Sequence, residues 1–357
     1  MAGMVIVNNP GDWKHVYPPL LHAQWHGWTP TDLIFPFFLF IVGVAITLSR
    51  RTGHWWPIVR RAATLVALGL LLNALPTFNL ATSRIPGVLQ RIGLCYLASA
   101  LLYRWLLVTT PRGSGNTDRK IAGVVATLAV ALLLGYWAVL ALVPGASGRP
   151  GDLTPEGNVG AVIDRAVLGN RLYRKTWDPE GLLSTVPAIG TTLLGLLAGV
   201  WIRTAGNGRR VVAGLAAGGA AAVALALAWD HLLPINKNLW TSSYAVFTAG
   251  LGALLFAACY GTIDLAGWRR WAHPLVVLGS NAIALYVLAG VLAALTLSLT
   301  VGGPGGAPIT LKTWIYNRCF APLGSPVNAS LLYALSNLAV LYVVLWVMYR
   351  RGVFLKV

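Results

Sequence analysis

Nine stretches of about 20 predominantly apolar residues follow one another along this chain of 357 residues, each long enough to cross the hydrocarbon core of a bilayer. Their limits are 31–49, 57–80, 86–108, 121–143, 182–202, 211–234, 239–261, 275–300 and 328–349. Backbone groups inside hydrocarbon have no water to bond, so such segments satisfy their own N–H and C=O groups as helices. The expected fold is all-α, a polytopic transmembrane helix bundle of nine full spans forming a single domain over 1–357. Charged residues make up 10% of the chain, against about 25% in soluble domains, which excludes an ordinary soluble protein. Met1 to Val7 is apolar but too short to span, and reads as the remaining end of a truncated first helix. It lacks the basic n-region and small-residue cleavage site of a cleavable signal peptide.

Charge sets the expected orientation. Arg and Lys collect in alternate connections: Arg50, Arg51, Arg60 and Arg61; Arg104, Arg112, Arg119 and Lys120; Arg203, Arg209 and Arg210; Arg269 and Arg270; Arg350, Arg351 and Lys356. By the positive-inside rule these connections and the C-terminus are cytoplasmic. The His22 segment, the 144–181 loop, the 231–238 turn and the 301–327 loop then face the extracytoplasmic side, in a plasma or inner cell membrane. Of the acids, only Asp118 and Asp264 fall on the basic side. The net charge of +17 therefore reads as topology plus attraction to anionic lipid. It does not read as nucleic-acid binding, for which there is neither a base-stacking module nor a soluble basic domain. Cys95, Cys259 and Cys319 have no metal-ligand spacing and support neither a disulfide frame nor a zinc site.

Polar groups concentrate at the expected outer face. The run Leu21-His22-Ala23-Gln24-Trp25-His26-Gly27-Trp28-Thr29-Pro30-Thr31-Asp32 sets imidazoles and a carboxylate against an apolar segment, an expensive arrangement that marks a candidate reaction site. Thr29, Pro30 and Asp32 have the spacing of a helix N-terminus with a capping box, so capping and chemistry both account for Asp32. His22 has no such structural reason. The amides of Asn8 and Asn9 are candidates to fix its tautomer, leaving the second ring nitrogen free as a base. His22, Asn8 and Asp32 form the expected catalytic set; a metal site on His22 and His26 lacks a third ligand.

Three further runs are candidates for substrate binding. In Arg84-Ile85-Pro86-Gly87-Val88-Leu89-Gln90-Arg91, Pro86 marks a helix start that carries Gln90 and Arg91 below the interface. There Arg91 either snorkels back to the surface or, with Arg84, holds an anion or pairs with Asp32. Asp178 and Glu180 precede a span, where helix-dipole stabilisation is an alternative explanation. The turn Asn236-Lys237-Asn238-Leu239-Trp240, followed by Ser243 and Tyr244, is too polar for capping alone and is read equally as a pocket lining.

In this order, the runs His22-Ala23-x-Trp25-x-Gly27, Thr31-Asp32-Leu33-x-Phe35-Pro36, Arg84 to Arg91, Asp178-Pro179-Glu180-Gly181 and Asn236-Lys237-Asn238-Leu239-Trp240 with Ser243-Tyr244 resemble one membrane acyltransferase family. It is typified by heparan-alpha-glucosaminide N-acetyltransferase, and the resemblance covers nearly the whole chain. It implies transfer of an acetyl group from cytosolic acetyl-CoA across the bilayer to a glucosamine amine or related glycan acceptor. His22 matches the family's active-site histidine and Asn8 its nearby asparagine, and the family suggests a homodimer. Such proteins carry a Leu-Asp-x-x-Arg-Gly stretch before the Val-Asn-Asn-Pro-Gly run and, in animals, a large soluble luminal domain; this sequence shows neither. The donor thioester is then expected to thread inward from the basic face. The rival readings are a transporter or flippase using the same polar groups as a path, and a scaffold whose polar groups only pack.

Overall fold

The computed structural model describes residues 1–49, 54–75, 78, 79, 83–110, 117–303 and 307–355. Arg50, Arg51, Arg112 and Lys356, and part of the outer end of the 57–80 run, lie outside the described residues. Among the described residues eight helices are long and apolar enough to cross a membrane, consistent with a multi-pass membrane protein. They are Pro30–Leu48, Trp55–Ala74, Val88–Thr109, Thr117–Leu142, Thr185–Thr204, Gly208–Asp230, Ser242–Leu265 and Pro326–Arg350. The expected span 275–300 is not one straight helix: His273–Ser280 and Ala282–Ser298 meet at 78°. The break falls at Asn281, whose amide donates to the Val353 carbonyl at 3.0 Å and whose carbonyl accepts the Leu355 N–H at 2.8 Å. A side chain tied to the C-terminal segment thus sits where the helix ladder is interrupted. Counting the bent pair as one span restores the expected nine.

In chain order the helices are α1 (Ala2–Asn8), α2 (Ile34–Leu48), α3 (Trp55–Ala74), α4 (Val88–Thr109), α5 (Thr117–Leu142), α6 (Val159–Leu168), α7 (Thr185–Thr204), α8 (Gly208–Asp230), α9 (Ser242–Cys259), α10 (His273–Ser280), α11 (Ala282–Ser298), α12 (Leu311–Ile315) and α13 (Pro326–Arg350). The 144–181 connection contains the amphipathic α6, capped by Asn158, whose carbonyl accepts the Ala161 N–H at 2.8 Å. The 301–327 connection contains an antiparallel pair, β1 (Thr300–Gly302) with β2 (Pro308–Thr310).

Small residues decide which helices touch most closely. A Cβ on Gly43 of α2 would stand 2.0 Å from the Thr192 carbonyl oxygen of α7, and one on Gly195 of α7 would stand 2.0 Å from that of Phe40. The two backbones are therefore in direct contact, as small-residue seams allow in membranes. Gly219 of α8 and Gly250 of α9 make a second seam, which is what the Gly and Ala of the 203–226 stretch provide. Helices α2, α4, α7 and α9 thereby fix the first turns of α2, α4 and α9, where the polar residues stand. Beneath those turns the interior is filled, first by Phe35, Leu39, Trp240 and Tyr244, then by Ile46, Tyr103, Leu193 and Leu196. A separate core joins α1 to α10, α11 and α13 through Val5, Val277, Leu285, Leu341 and Leu345.

Candidate active site

Asp32 is the hub of the His22 end. It is 1% exposed, and its two oxygens do different work. Oδ2 accepts the N–H groups of Ala23 at 3.0 Å and Thr29 at 3.1 Å, and the Thr29 hydroxyl at 3.1 Å, the capping arrangement that starts the span. Oδ1 faces the His22 ring, 2.6 Å from Nδ1, and stands 3.3 Å from Lys237 Nζ. The structural and chemical explanations of this acid thus hold together, one for each oxygen. The Tyr244 hydroxyl donates to the Asp32 main-chain carbonyl at 2.5 Å, tying the start of α9 to the start of α2.

The His22 ring is half exposed. Its polar partners among the described residues are Asp32 and Lys237, whose Nζ lies 2.9 Å from Nδ1 and 3.4 Å from Nε2. Asn8, expected at this ring, closes α1 with its side chain exposed. It makes no hydrogen bond to His22; a carboxylate on the next helix start holds the ring instead. Burial, the largest influence on Lys237, draws its ammonium below the ordinary lysine range, and the charges of Asp32 and Glu180 oppose that shift.

The turn carrying Lys237 is pinned to the His22 segment. The Gly27 N–H donates to the Ile235 carbonyl at 2.8 Å, and Asn236 Nδ2 stands 3.3 Å from His26 Nδ1. The Asn236 carbonyl accepts the Leu239 N–H at 2.9 Å, so Asn236 shapes the turn. Ser243 is buried against the Thr241 hydroxyl at 3.1 Å and is part of the same turn's interior. Asn238 lines a cavity of about 10 Å³ with Trp25, Tyr136, Asp164, Asp178 and Ser184, room for about one water.

Arg84 does not reach Asp32. Its Nε and Nη2 form a two-pronged pair with Asp178 at 2.7 and 2.5 Å, and Nη2 also bonds Glu180. Tyr173 lies under the guanidinium, 4.9 Å from ring centroid to Cζ. Burial would lower the Arg84 pKa, but the two carboxylates outweigh it and hold the guanidinium more firmly charged than usual. Asp178 and Glu180 therefore serve as the counter-charge of Arg84, which the local dipole argument could not reveal.

Arg91 is fully buried. Its Nη2 donates to the Gly181 carbonyl at 2.9 Å and to the Ser184 hydroxyl at 2.5 Å, while Nε and Nη1 have no partner among the described residues. The guanidinium faces the Trp240 ring at 5.2 Å. Trp240 adopts φ 50, a left-handed conformation costly for a bulky residue. It is held there by an indole N–H bond to Thr191 at 3.1 Å and by edge contacts to Phe35 and Tyr244. A continuous contact path thus runs from Arg91 through Trp240, Tyr244 and Asp32 to His22. Gln90 is buried with its amide against Gly69 of α3 and Gly87, donating to the Ile85 carbonyl at 3.0 Å. Among the described residues no group of three or more His, Cys, Asp or Glu is placed to hold a metal ion.

Asp164 of α6, which the sequence motifs did not single out, packs against the same cluster. It is 3% exposed, accepts the Leu182 N–H at 2.8 Å, and its Oδ2 would lie 1.9 Å from a Cβ on Gly181. Burial, reinforced by the nearby charge of Asp178, raises its pKa to about 6 against the opposing Leu182 bond and Arg91 charge. A carboxyl whose folded pKa exceeds its unfolded value stabilises the fold most below the unfolded value, and that stabilisation is lost as pH rises through about 6. Thermal unfolding in detergent is accordingly expected to show this contribution falling by roughly 3 kcal/mol at most between pH 4 and 7.5. Asp164→Asn, which keeps an acceptor for Leu182, should flatten that slope; an unchanged slope would remove Asp164 as its source.

A family model described as heparan-alpha-glucosaminide N-acetyltransferase, catalytic, matches residues 1–113, which contain His22, Asp32, Arg84 and Arg91. The heparan-alpha-glucosaminide N-acetyltransferase of Homo sapiens is 29% identical over 339 residues, covering 80% of this chain and 50% of that protein. The Mus musculus protein of the same name is 29% identical over 336 residues, with the same coverages of 80% and 50%. The chain thus spans about half the length of the curated relatives it matches.

Proposed function

We propose that this chain, which is similar along 80% of its length to proteins named heparan-alpha-glucosaminide N-acetyltransferase, is a membrane acetyltransferase that takes acetyl groups from acetyl-CoA. The acceptor is an amino sugar or glycan amine met at the His22 end, which faces the extracytoplasmic side of a plasma or inner cell membrane. The observation that carries this reading is the His22–Asp32 pair: a half-exposed imidazole held through Nδ1 by a buried carboxylate at 2.6 Å. Holding Nδ1–H to a carboxylate fixes the tautomer and leaves the Nε2 lone pair as base or nucleophile. The charges around this end are already paired, Arg84 with Asp178 and Glu180, and Lys237 with Asp32. Arg91 keeps Nε and Nη1 without a partner among the described residues, beneath Trp240.

The packed interior below His22 has a consequence for the donor. A thioester coming from the basic face must part the helices around Trp240 and Tyr244, so delivery requires an opening step. A lateral cleft of about 340 Å³ between α3 and α11, lined by Leu72, Leu75, Gly290, Ala294, Leu297 and Ser298, is open space of another kind, mostly apolar.

The test is transfer by purified protein in detergent, with labelled acetyl-CoA and glucosamine. Labelled N-acetylglucosamine is the expected product. Uptake of glucosamine into protein-containing vesicles with no acetylated product would overturn the enzymatic reading in favour of a transporter.

A further inference from the structure

We propose that residues 353–355, which follow α13, act as a strap: by holding Asn281 they set the bend between α10 and α11, and through α11 the width of the cleft at its far end. The device is independent of the acetyltransferase reading.

Asn281 ends α10 and begins α11, with φ −126 and ψ 47, outside the helical region. Its main-chain carbonyl accepts the Leu285 N–H at 2.9 Å and opens the α11 ladder. An asparagine in that position ordinarily turns its side chain onto the N–H groups of its own first turn. Asn281 makes no such cap. The residue is 1% exposed, and both ends of its amide are committed to the strap: the NH2 group donates to the Val353 carbonyl at 3.0 Å, and the oxygen accepts the Leu355 N–H at 2.8 Å.

The strap reaches Asn281 because of how α13 ends. Gly352 has φ 67, which a residue without Cβ adopts at no steric cost. Two bonds of a Schellman turn close the helix, from the Val353 N–H to the Met348 carbonyl at 2.9 Å and from the Gly352 N–H to the Tyr349 carbonyl at 3.1 Å. The chain thus turns back against its own helix. The Phe354 ring meets Tyr349 at 6.0 Å, and Tyr349 meets His273 of α10 at 5.8 Å, both edge to face. The strap is thereby tied to α10, to the start of α11 and to α13 at once.

Helix α11 is the lever. Its 17 residues run about 25 Å at about 1.5 Å per residue, so a change of about 10° at Asn281 moves the far end by about 4 Å. That end carries Gly290, Ala294, Leu297 and Ser298, which with Leu72 and Leu75 line the cleft of about 340 Å³. The α3 wall is fixed separately: Asn73, between Leu72 and Leu75, donates to the carbonyls of Arg84 at 2.9 Å and Pro86 at 2.8 Å. The α11 wall takes its place from the bend, with Leu285 and Ala289 packed in the core shared with α1 and α13. A strap at one end of the helix therefore governs an opening at the other, beside the segment that carries Arg84.

Leu71 of α3 and Leu295 of α11 are exposed and suit labelling. Spin labels on Leu71→Cys and Leu295→Cys, in a full chain carrying Cys259→Ser and Cys319→Ser, report the helix separation by double electron–electron resonance in nanodiscs; Cys95 is buried and stays unlabelled. The intact strap should give one narrow distance distribution. Asn281→Ala, and separately deletion of 353–357, should each shift its mean by about 4 Å or at least double its width. The two changes together should do no more than either alone, because both remove one contact. An unchanged distribution in either variant would overturn the proposal, and so would additive shifts, which would mean that Asn281 bends the helix without the strap. Should either variant not fold, Gly352→Val, which cannot hold φ 67 without strain, takes its place with the same expected shift.

Discussion

Replacing His22 by alanine is expected to lower acetyl transfer by roughly 10²- to 10⁴-fold, the range over which a positioned base acts, while leaving the protein folded. The two halves of that expectation have separate physical origins. The ring is half exposed and fills no core, so its removal opens no cavity. Asp32 keeps Lys237 at 3.3 Å and its three capping donors, so no buried charge is orphaned. What disappears is the Nε2 lone pair. Asp32→Asn makes the contrast: it weakens the ring's anchor and also the start of α2, so activity and melting temperature should fall together. Labelled acetyl-CoA turnover beside a thermal melt separates the two variants. A His22→Ala protein retaining more than a third of wild-type turnover would remove the histidine from the chemistry.

Arg84→Met is expected to be the most destabilising single change at this end of the bundle. Asp178 has no exposed side-chain surface and Glu180 little, and both rely on this guanidinium. Removing one partner of a buried pair leaves an uncompensated charge, typically at a cost of about 3–5 kcal/mol. Here two carboxylates lose their partner at once. Arg84→Lys should recover only part of the loss, since an ammonium cannot reproduce the two-pronged bond to Asp178. Arg84→Met combined with Asp178→Leu should be less destabilised than Arg84→Met alone. Chemical unfolding in detergent measures this series. A loss below about 1 kcal/mol for Arg84→Met would mean that the pair is solvated and behaves as a surface salt bridge.

The spans were legible because the bilayer imposes a length and an apolar composition that few other environments demand. The break at Asn281 was not, since one amide between two apolar runs looks like any intramembrane polar residue until its partners at Val353 and Leu355 are known. Asp32 was readable as a cap from Thr29 and Pro30, yet spacing treats a carboxylate as one group and does not show that each oxygen faces a different neighbour. The link between Lys237 and His22 spans 215 positions, and that between Arg84 and Asp178 spans 94. Local patterning carries no information about either. It therefore named Arg84, Asp178, Glu180 and Lys237 as site residues without pairing them. Asn8 was named from its nearness in sequence to His22 and from the family resemblance; the α1 helix end leaves its side chain exposed.

Sealed proteoliposomes of known protein orientation test most directly whether this chain carries acetyl groups to the His22 face. With labelled acetyl-CoA confined to the basic side and glucosamine confined to the His22 side, labelled N-acetylglucosamine should accumulate on the His22 side, and not with His22→Ala. Product formed only when donor and acceptor share one side, or formed equally by His22→Ala, would contradict it.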